Sequence, residues 1–117
     1  MIRSIAFFVY PVSDMARAQA FYEQTLGLKR CTDFRGQWVE YDLGDTTFAI
    51  TNMEMGRQPG ARGGTVGFEV DDLDAFVAEI KAKGAKIAMD IFETPVCRMA
   101  VAQDPDGNDV IIHKRHA

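Results

Sequence analysis

The chain has 117 residues, 47% of them hydrophobic and 26% charged, which is typical of one globular domain and excludes a disordered or fibrous protein. Its formal net charge of −4 argues against a nucleic-acid-binding surface, and no apolar run reaches the roughly 20 residues of a membrane span. The first residues lack the pattern of a signal peptide, so we expect a cytoplasmic protein. The two cysteines, Cys31 and Cys97, are expected to be reduced and mostly buried.

The first half of the chain has the pattern of one strand, one helix and three further strands. An apolar run over residues 5–12 predicts a strand covered on both faces. Ser13 or Asp14 then caps a helix that ends at Gly27, with apolar residues at helical spacing in between. Short alternating segments separated by turn residues predict strands over residues 29–34, 37–43 and 46–51.

The second half repeats this order after a segment without periodicity. Residues 53–64 are rich in glycine and are expected to form a linker. A strand over residues 65–70 and a helix from Leu73 that ends at Gly84 precede strands over residues 86–93, 97–103 and 109–113. The predicted fold class is therefore α+β. One domain contains two βαβββ modules, residues 1–52 and 65–117, with helices outside curved mixed sheets and a concave cavity inside.

Four motifs, in this order, resemble those of a known family. They are Val12-Ser13-Asp14-Met15, Phe21-Tyr22 with Leu26-Gly27-Leu28, Phe68-Glu69-Val70-Asp71-Asp72-Leu73, and Asp104-Pro105-Asp106-Gly107-Asn108. The pattern resembles the vicinal oxygen chelate superfamily, which groups glyoxalase I, extradiol dioxygenases, fosfomycin and bleomycin resistance proteins and methylmalonyl-CoA epimerase. The resemblance implies a single glyoxalase-like domain that pairs as a homodimer, with a cavity between facing sheets.

The metal ligands of the family are not matched. In metal-using members, His or Glu ligands occupy the positions that correspond here to Phe7, Thr65 and Ile111, and a further ligand on the fourth strand falls near Ala49 or Thr51. A cage for zinc, iron or nickel with imidazole ligands also needs histidines that can meet, and the chain has two, both near one end. We therefore expect no cofactor, with a divalent metal as the less favoured alternative.

Replacement of the ligands by Phe7, Thr65 and Ile111 predicts a mostly apolar small-molecule cavity, and the alternative is a filled core. His113 shares a strand face with Ile111 and is the best candidate acid or base, unless it is a strand end capped by water. Glu69 is a second candidate acid or base, and a purely structural role is its alternative. Glu40 is undecided between the two roles.

Other candidates have simpler explanations beside the functional ones. Trp38 is either a wall of the cavity or part of the core. Arg98 could clamp a ligand carboxylate or phosphate, but an outward, solvated arginine is favoured. The 104–108 motif has the start of a calcium loop without its later Gly and Glu, so a tight turn explains it. The basic cluster at residues 114–116 is interpreted as a solvated terminus.

Three function hypotheses follow. The leading one is a cytoplasmic, homodimeric glyoxalase/bleomycin-resistance-like protein that binds a small organic molecule in the apolar cavity without a metal. The second is an enzyme, whether a lyase, isomerase or dioxygenase, with a non-standard metal site or metal-free catalysis by His113 with Glu40 or Glu69. The third is a structural or regulatory partner whose pocket is vestigial. Neither nucleic acid nor membrane is an expected partner.

Overall fold

The structure is a computed structural model that describes residues 1, 3–54, 58–60 and 65–116. Within it the chain divides into two compact units, residues 1–61 and 62–117. Part of the predicted linker, residues 55–57 and 61–64, lies outside the described residues. Neither helix of the described part is long and apolar enough to cross a membrane.

The first unit contains one four-stranded mixed sheet and one helix. Its elements in chain order are β1 (Phe8–Pro11), α1 (Met15–Gln19) with a continuing π-helical turn (Ala20–Thr25), β2 (Arg30–Phe34), β3 (Trp38–Asp42) and β4 (Thr47–Thr51). The strand order is β1-β4-β3-β2. β1 runs parallel to β4, and the other neighbours are antiparallel. The predicted βαβββ order is confirmed.

Local signals begin and end the first helix as predicted. The Asp14 side chain accepts the backbone N–H of Arg17 at 3.1 Å, the usual N-cap bond. Gly27 has a φ of 82°, a left-handed conformation that glycine adopts without steric cost. The structure adds that the last turn widens to a π-turn, in which the N–H of Leu26 bonds the carbonyl of Phe21 at 2.9 Å.

The helix covers one face of the first sheet. Tyr22 lies against Tyr41 and Phe48, with ring centroids 6.4 and 5.0 Å away. The Tyr41 hydroxyl donates to Glu23 Oε2 at 2.9 Å, and Glu23 Oε1 pairs with Arg30 at 3.1 Å. Burial, followed by the hydrogen bond to Glu23, raises the pKa of Tyr41. The buried hydroxyl is therefore both neutral and hydrogen-bonded.

The prediction of a first strand covered on both faces was wrong. β1 begins at Phe8, and Ile5, Phe7 and Phe8 are exposed. The helix of this unit covers only one face of the sheet, so an apolar run does not by itself guarantee burial on both. Cys31 is likewise exposed rather than buried, whereas Cys97 is buried as expected.

The second unit repeats the same plan. Its elements are β5 (Val66–Glu69), α2 (Leu73–Ala82), β6 (Lys86–Glu93), β7 (Cys97–Gln103) and β8 (Asp109–Arg115). The strand order is β5-β8-β7-β6, with β5 parallel to β8. The side chain of Asp72 caps α2 by accepting the N–H of Ala75 at 3.0 Å. Because α2 contacts β6, β7 and β8, the alternating residues Val110 and Ile112 are buried.

The hydrogen bonds of the turn before β8 account for the acidic motif at residues 104–108 without a bound cation. Asp104 is buried, and its Oδ1 accepts the backbone N–H groups of Asp106 and Asn108, both at 2.9 Å. Its Oδ2 accepts Asn108 Nδ2 at 2.7 Å. The carboxylate is thus used inside the turn, as the turn interpretation predicted.

Candidate functional site

The helix-free face of the first sheet carries a cluster of aromatic rings. Trp38 packs edge-to-face against Phe7, with ring centroids 5.2 Å apart and planes at 88°. Trp38 Nε1 donates to Glu40 Oε2 at 2.9 Å. Trp38 and Glu40 are half-buried, whereas Val39 and Tyr41 between and beside them are buried under the helix. The alternation of β3 thus places Trp38 and Glu40, both predicted site residues, on the helix-free face.

Phe34 extends this cluster and was not predicted. It is the register partner of Trp38 across β2 and β3, and directly opposed residues point to the same face. Its ring is exposed, and the Arg35 guanidinium lies 5.5 Å from the ring centroid. The sequence feature that could have indicated Phe34 is its position at the end of an alternating strand, next to a turn. We call Phe7, Phe34, Trp38 and Glu40 the aromatic face.

The first unit offers no metal donors where the family places them. Phe7 presents a ring to Trp38, and Ala49 lies opposite Glu40 in the register of β3 and β4. The hydroxyl of Thr51 already donates to the carbonyl of Gln37 at 2.7 Å and accepts the N–H of Met53 at 3.0 Å. These side chains do not fit a divalent metal site.

The corresponding positions of the second unit are equally poor in donors. Ile111 is a hydrocarbon side chain that lies beside Gly67 in the β5–β8 register. Thr65 is exposed and precedes β5, so the structure does not bring it into the sheet. Over residues 1, 3–54, 58–60 and 65–116, no group of three or more His, Cys, Asp or Glu side chains is placed to hold a metal.

His113 and Glu69 are brought together on the helix-free face of the second sheet. They are register partners across β5 and β8, and His113 Nδ1 lies 2.5 Å from Glu69 Oε1. Glu69 Oε2 accepts the backbone N–H of Arg115 at 2.8 Å. This N–H bond, and after it the contact with His113, lowers the pKa of the Glu69 carboxyl below its ordinary value.

The direction of that shift bears on the two roles considered for Glu69, a base and a structural acceptor. A carboxylate base for neutral pH needs a raised pKa, which an apolar environment would supply. Glu69 instead stays ionised and accepts two hydrogen bonds, so it orients the His113 imidazole.

Arg98 lies on the other face of the second sheet. It is the register partner of Lys114, whereas its neighbour Met99 is the partner of His113. Its Nη1 and Nη2 atoms donate to the Asp74 carboxylate at 2.9 and 3.1 Å, and its Nε lies 3.8 Å from Glu93. The Arg98 bond lowers the pKa of Asp74. Arg98 therefore pairs with the helix rather than approaching His113.

A pocket of about 540 Å³ opens at the end of β8. It is lined by Pro95, Val96, His113, Arg115 and His116. All five residues belong to the second unit. The interpretation of residues 114–116 as a solvated terminus did not anticipate it, because the loop between β6 and β7 supplies the opposite wall.

Each unit therefore has its own group of predicted site residues. Phe7, Trp38 and Glu40 lie together in the first unit. Glu69 and His113 lie together in the second, and Ile111 shares their face by alternation.

The chain belongs to the Glyoxalase/Bleomycin resistance protein/Dioxygenase superfamily, whose family model matches residues 4–112. The predicted resemblance and fold class are confirmed. Among solved structures, TnmS3, an antibiotic binding protein from Streptomyces sp. CB03234, is 29% identical with a TM-score of 0.86, and the match covers 98% of both chains. A glyoxalase/bleomycin resistance protein from the same strain is 31% identical, covers 97% of this chain and 100% of that one, and has a TM-score of 0.77.

A more distant structure shares the fold alone. Lactoylglutathione lyase from Agrobacterium tumefaciens is 22% identical, with a TM-score of 0.76 and coverage of 95% of this chain and 92% of that chain. No curated protein matches the sequence.

Proposed function

We propose that this protein binds a small organic molecule on the aromatic face, without the divalent metal of its superfamily. The observation that carries the proposal is the packing of Phe7 on Trp38, beside the Glu40 carboxylate. Exposed rings offer a flat ligand a large apolar contact, and an aromatic pair contributes about 0.5–1.5 kcal/mol beyond the area it buries.

The polar rim of this face favours a ligand that carries a hydrogen-bond donor. Trp38 Nε1 donates a hydrogen bond to Glu40 Oε2, and no described residue donates to Glu40 Oε1. An ionised carboxylate oxygen forms stronger hydrogen bonds than a neutral acceptor does. The proposed ligand is therefore flat, largely apolar and equipped with a hydroxyl or amine. The antibiotic-binding function of the 29% identical TnmS3 supports a ligand-binding role.

The metal-free part of the proposal rests on donor chemistry. The family's ligand positions are occupied by Phe7, Ile111 and Thr65, of which the first two carry no donor atom. Elemental analysis after exposure to nickel, zinc, iron and manganese, with removal of the excess, tests it. Stoichiometric retention of any of these metals would contradict this part.

A thermal-shift screen against metabolites and antibiotics tests ligand binding, since a ligand that binds only the folded state raises the melting temperature. Phe7→Ala should reduce the shift produced by any hit. Phe8→Ala is a matched control because the two rings are similarly exposed, at 42% and 46%. Phe8 is the register partner of the buried Phe48 and therefore faces the helix side. No hit, or equal losses in the two variants, would refute the proposal.

We also propose a cytoplasmic homodimer, as the family resemblance and the composition led us to expect. Light scattering coupled to size-exclusion chromatography measures the mass directly. A monomer at all concentrations tested would contradict the dimer.

A second candidate function is supported by the contact of His113 with Glu69. A carboxylate that accepts the Nδ1–H of a histidine leaves Nε2 to take up a proton, which is the arrangement of a general base. No described residue bonds Nε2 of His113, and the side chain lines the pocket at the end of β8. This candidate is a metal-free lyase or isomerase.

Deuterium uptake by a panel of carbon acids in heavy water tests the enzyme candidate. His113→Ala should abolish any uptake that the protein catalyses, and Glu69→Gln should reduce it while leaving the imidazole in place. Uptake that is indifferent to His113→Ala would remove this candidate, as would a panel without turnover.

A further inference from the structure

The pocket at the end of β8 differs from the aromatic face in its chemistry. Its volume of about 540 Å³ lies within the range of small-molecule sites, roughly 300–1,000 Å³. One wall is apolar and consists of Pro95 and the exposed Val96. The other wall carries His113, Arg115 and His116. The pocket therefore combines an apolar surface with guanidinium and imidazole donors.

The lining of this pocket includes one arginine and both histidines of the chain. The protein carries a formal net charge of −4, and Arg115 is the basic side chain that lines the pocket with the two histidines. The Glu69 carboxylate beside His113 already accepts bonds from His113 Nδ1 and from the Arg115 backbone N–H. The Arg115 guanidinium forms no ion pair within the described part of the chain.

In this respect Arg115 differs from Arg98 on the neighbouring strand β7. Arg115 pairs with Cys97 in the register of β7 and β8, and the next residue of β7, Arg98, is bound by Asp74. A planar guanidinium can bind a carboxylate through two parallel hydrogen bonds. In a solvated arginine the same N–H groups donate to water instead. Arg115 has its donors available for a ligand.

The pocket is shaped in advance by hydrogen bonds. The N–H of His116 donates to the carbonyl of Val96 at 3.0 Å, which ties the end of the chain to the β6–β7 loop. Within that loop the Thr94 hydroxyl accepts the N–H of Cys97 at 3.0 Å, and the Thr94 N–H donates to the carbonyl of Cys97 at 2.8 Å. A preformed wall spares a ligand the entropic cost of ordering it.

From these observations we propose that the pocket binds the carboxylate of a small organic acid. Arg115 and His116 contact the carboxylate, and Pro95 with Val96 contacts the apolar part of the acid. This is a second binding site, confined to the second unit, and its chemistry differs from that of the ligand proposed for the aromatic face.

Titration of the ¹⁵N-labelled protein with 4-phenylbutanoate, observed by amide NMR, tests this site. The matched probe 4-phenylbutanamide has the same apolar part and no charge, and inorganic phosphate has charge without the apolar part. We expect 4-phenylbutanoate to shift the amide signals of Val96, His113, Arg115 and His116. We expect at least tenfold weaker binding of the amide, a factor that corresponds to about 1.4 kcal/mol.

Arg115→Gln should weaken 4-phenylbutanoate binding at least tenfold, since it removes the guanidinium while the backbone N–H to Glu69 remains. Lys114→Gln is the control, because it removes the same charge one residue away on the opposite face of β8. We expect that variant to bind within about twofold of the unchanged protein. The spectra themselves show whether each variant is folded.

Comparisons of affinity could overturn the proposal in three ways. They are equal affinity for the acid and the amide, equal affinity for phosphate and the acid, and equal losses in Arg115→Gln and Lys114→Gln. Absence of shifts at the pocket would also overturn it. The proposal for the aromatic face is judged separately, because its ligands are expected to shift signals near Phe7 and Trp38.

Discussion

The buried Asp104 carboxylate provides a quantitative test of the turn before β8. Asp104 is 4% exposed and accepts three hydrogen bonds, two from backbone N–H groups at 2.9 Å and one from Asn108 Nδ2 at 2.7 Å. Asp104→Ala removes all three and leaves the N–H of Asn108, which is itself buried, without this acceptor.

The expected loss of folding stability follows from these hydrogen bonds. A hydrogen bond contributes about 0.5–1.5 kcal/mol, and bonds to a charged group contribute about 1.5–3 kcal/mol. Because the three bonds share one acceptor group and are not additive, we expect Asp104→Ala to lower the free energy of unfolding by about 3–5 kcal/mol. Asp104→Asn keeps one carbonyl oxygen for the two N–H groups, so its cost should be about 1–2 kcal/mol.

Urea unfolding followed by far-UV circular dichroism measures both costs. Asp109→Asn is a control with the same chemical change on an exposed side chain that accepts Gln103 Nε2 at 3.1 Å. It should cost no more than about 0.5 kcal/mol. The reasoning would be refuted by a cost below about 1 kcal/mol for Asp104→Ala, or by equal effects of Asp104→Asn and Asp109→Asn.

Three further predictions concern acid stability, a buried hydroxyl and backbone strain. Because the folded-state pKa of Glu69 lies below its ordinary value, its stabilisation is present above that value and is lost as the pH falls. Glu69→Gln should therefore melt at a lower temperature than the unchanged protein near pH 7, and the difference should vanish near pH 2. Tyr41→Phe removes the bond to Glu23 and should lower the free energy of unfolding by about 0.5–1.5 kcal/mol in urea titrations, whereas no change would show that the bond is not stabilising. Gly84 has a φ of 89° with no atom within 4 Å of an added Cβ, so Gly84→Ala should cost about 1 kcal/mol through strain alone. In Gly67→Ala the added Cβ lies at an ordinary distance of 3.8 Å from Ile111, so this variant should be nearly neutral by the same assay. Equal costs for Gly84→Ala and Gly67→Ala would contradict the explanation by strain.

Much of the fold was predictable because its signals are local. Asp14 and Asp72 each accept an N–H three residues along the chain, and Gly27 and Gly84 have the positive φ that ends a helix. These geometries depend on a few consecutive residues. The helix starts, helix ends and order of strands therefore agree with the prediction, while the precise strand bounds shift by up to a few residues.

The candidate site was predictable only in part. Alternation along β3 predicts that Trp38 and Glu40 share a face, since neighbouring side chains of one strand must point to opposite sides. Alternation does not say which face carries the helix. Arg98 shows the consequence, because its face of β7 is the one on which it reaches Asp74 of α2.

The sequence by itself determined the family and the two βαβββ modules, because motifs and residue types are properties of the chain. It also places Phe7, Thr65 and Ile111 at the positions where the resemblance implies metal ligands. Tertiary structure alone decided the contacts between residues far apart in sequence. Glu69 meets His113 only through the parallel register of β5 and β8, and the Arg115 N–H bond, followed by this contact, lowers the pKa of Glu69. The pocket beside Arg115 exists because two distant segments are hydrogen-bonded to each other. Register and packing depend on the whole fold, so no local pattern encodes them.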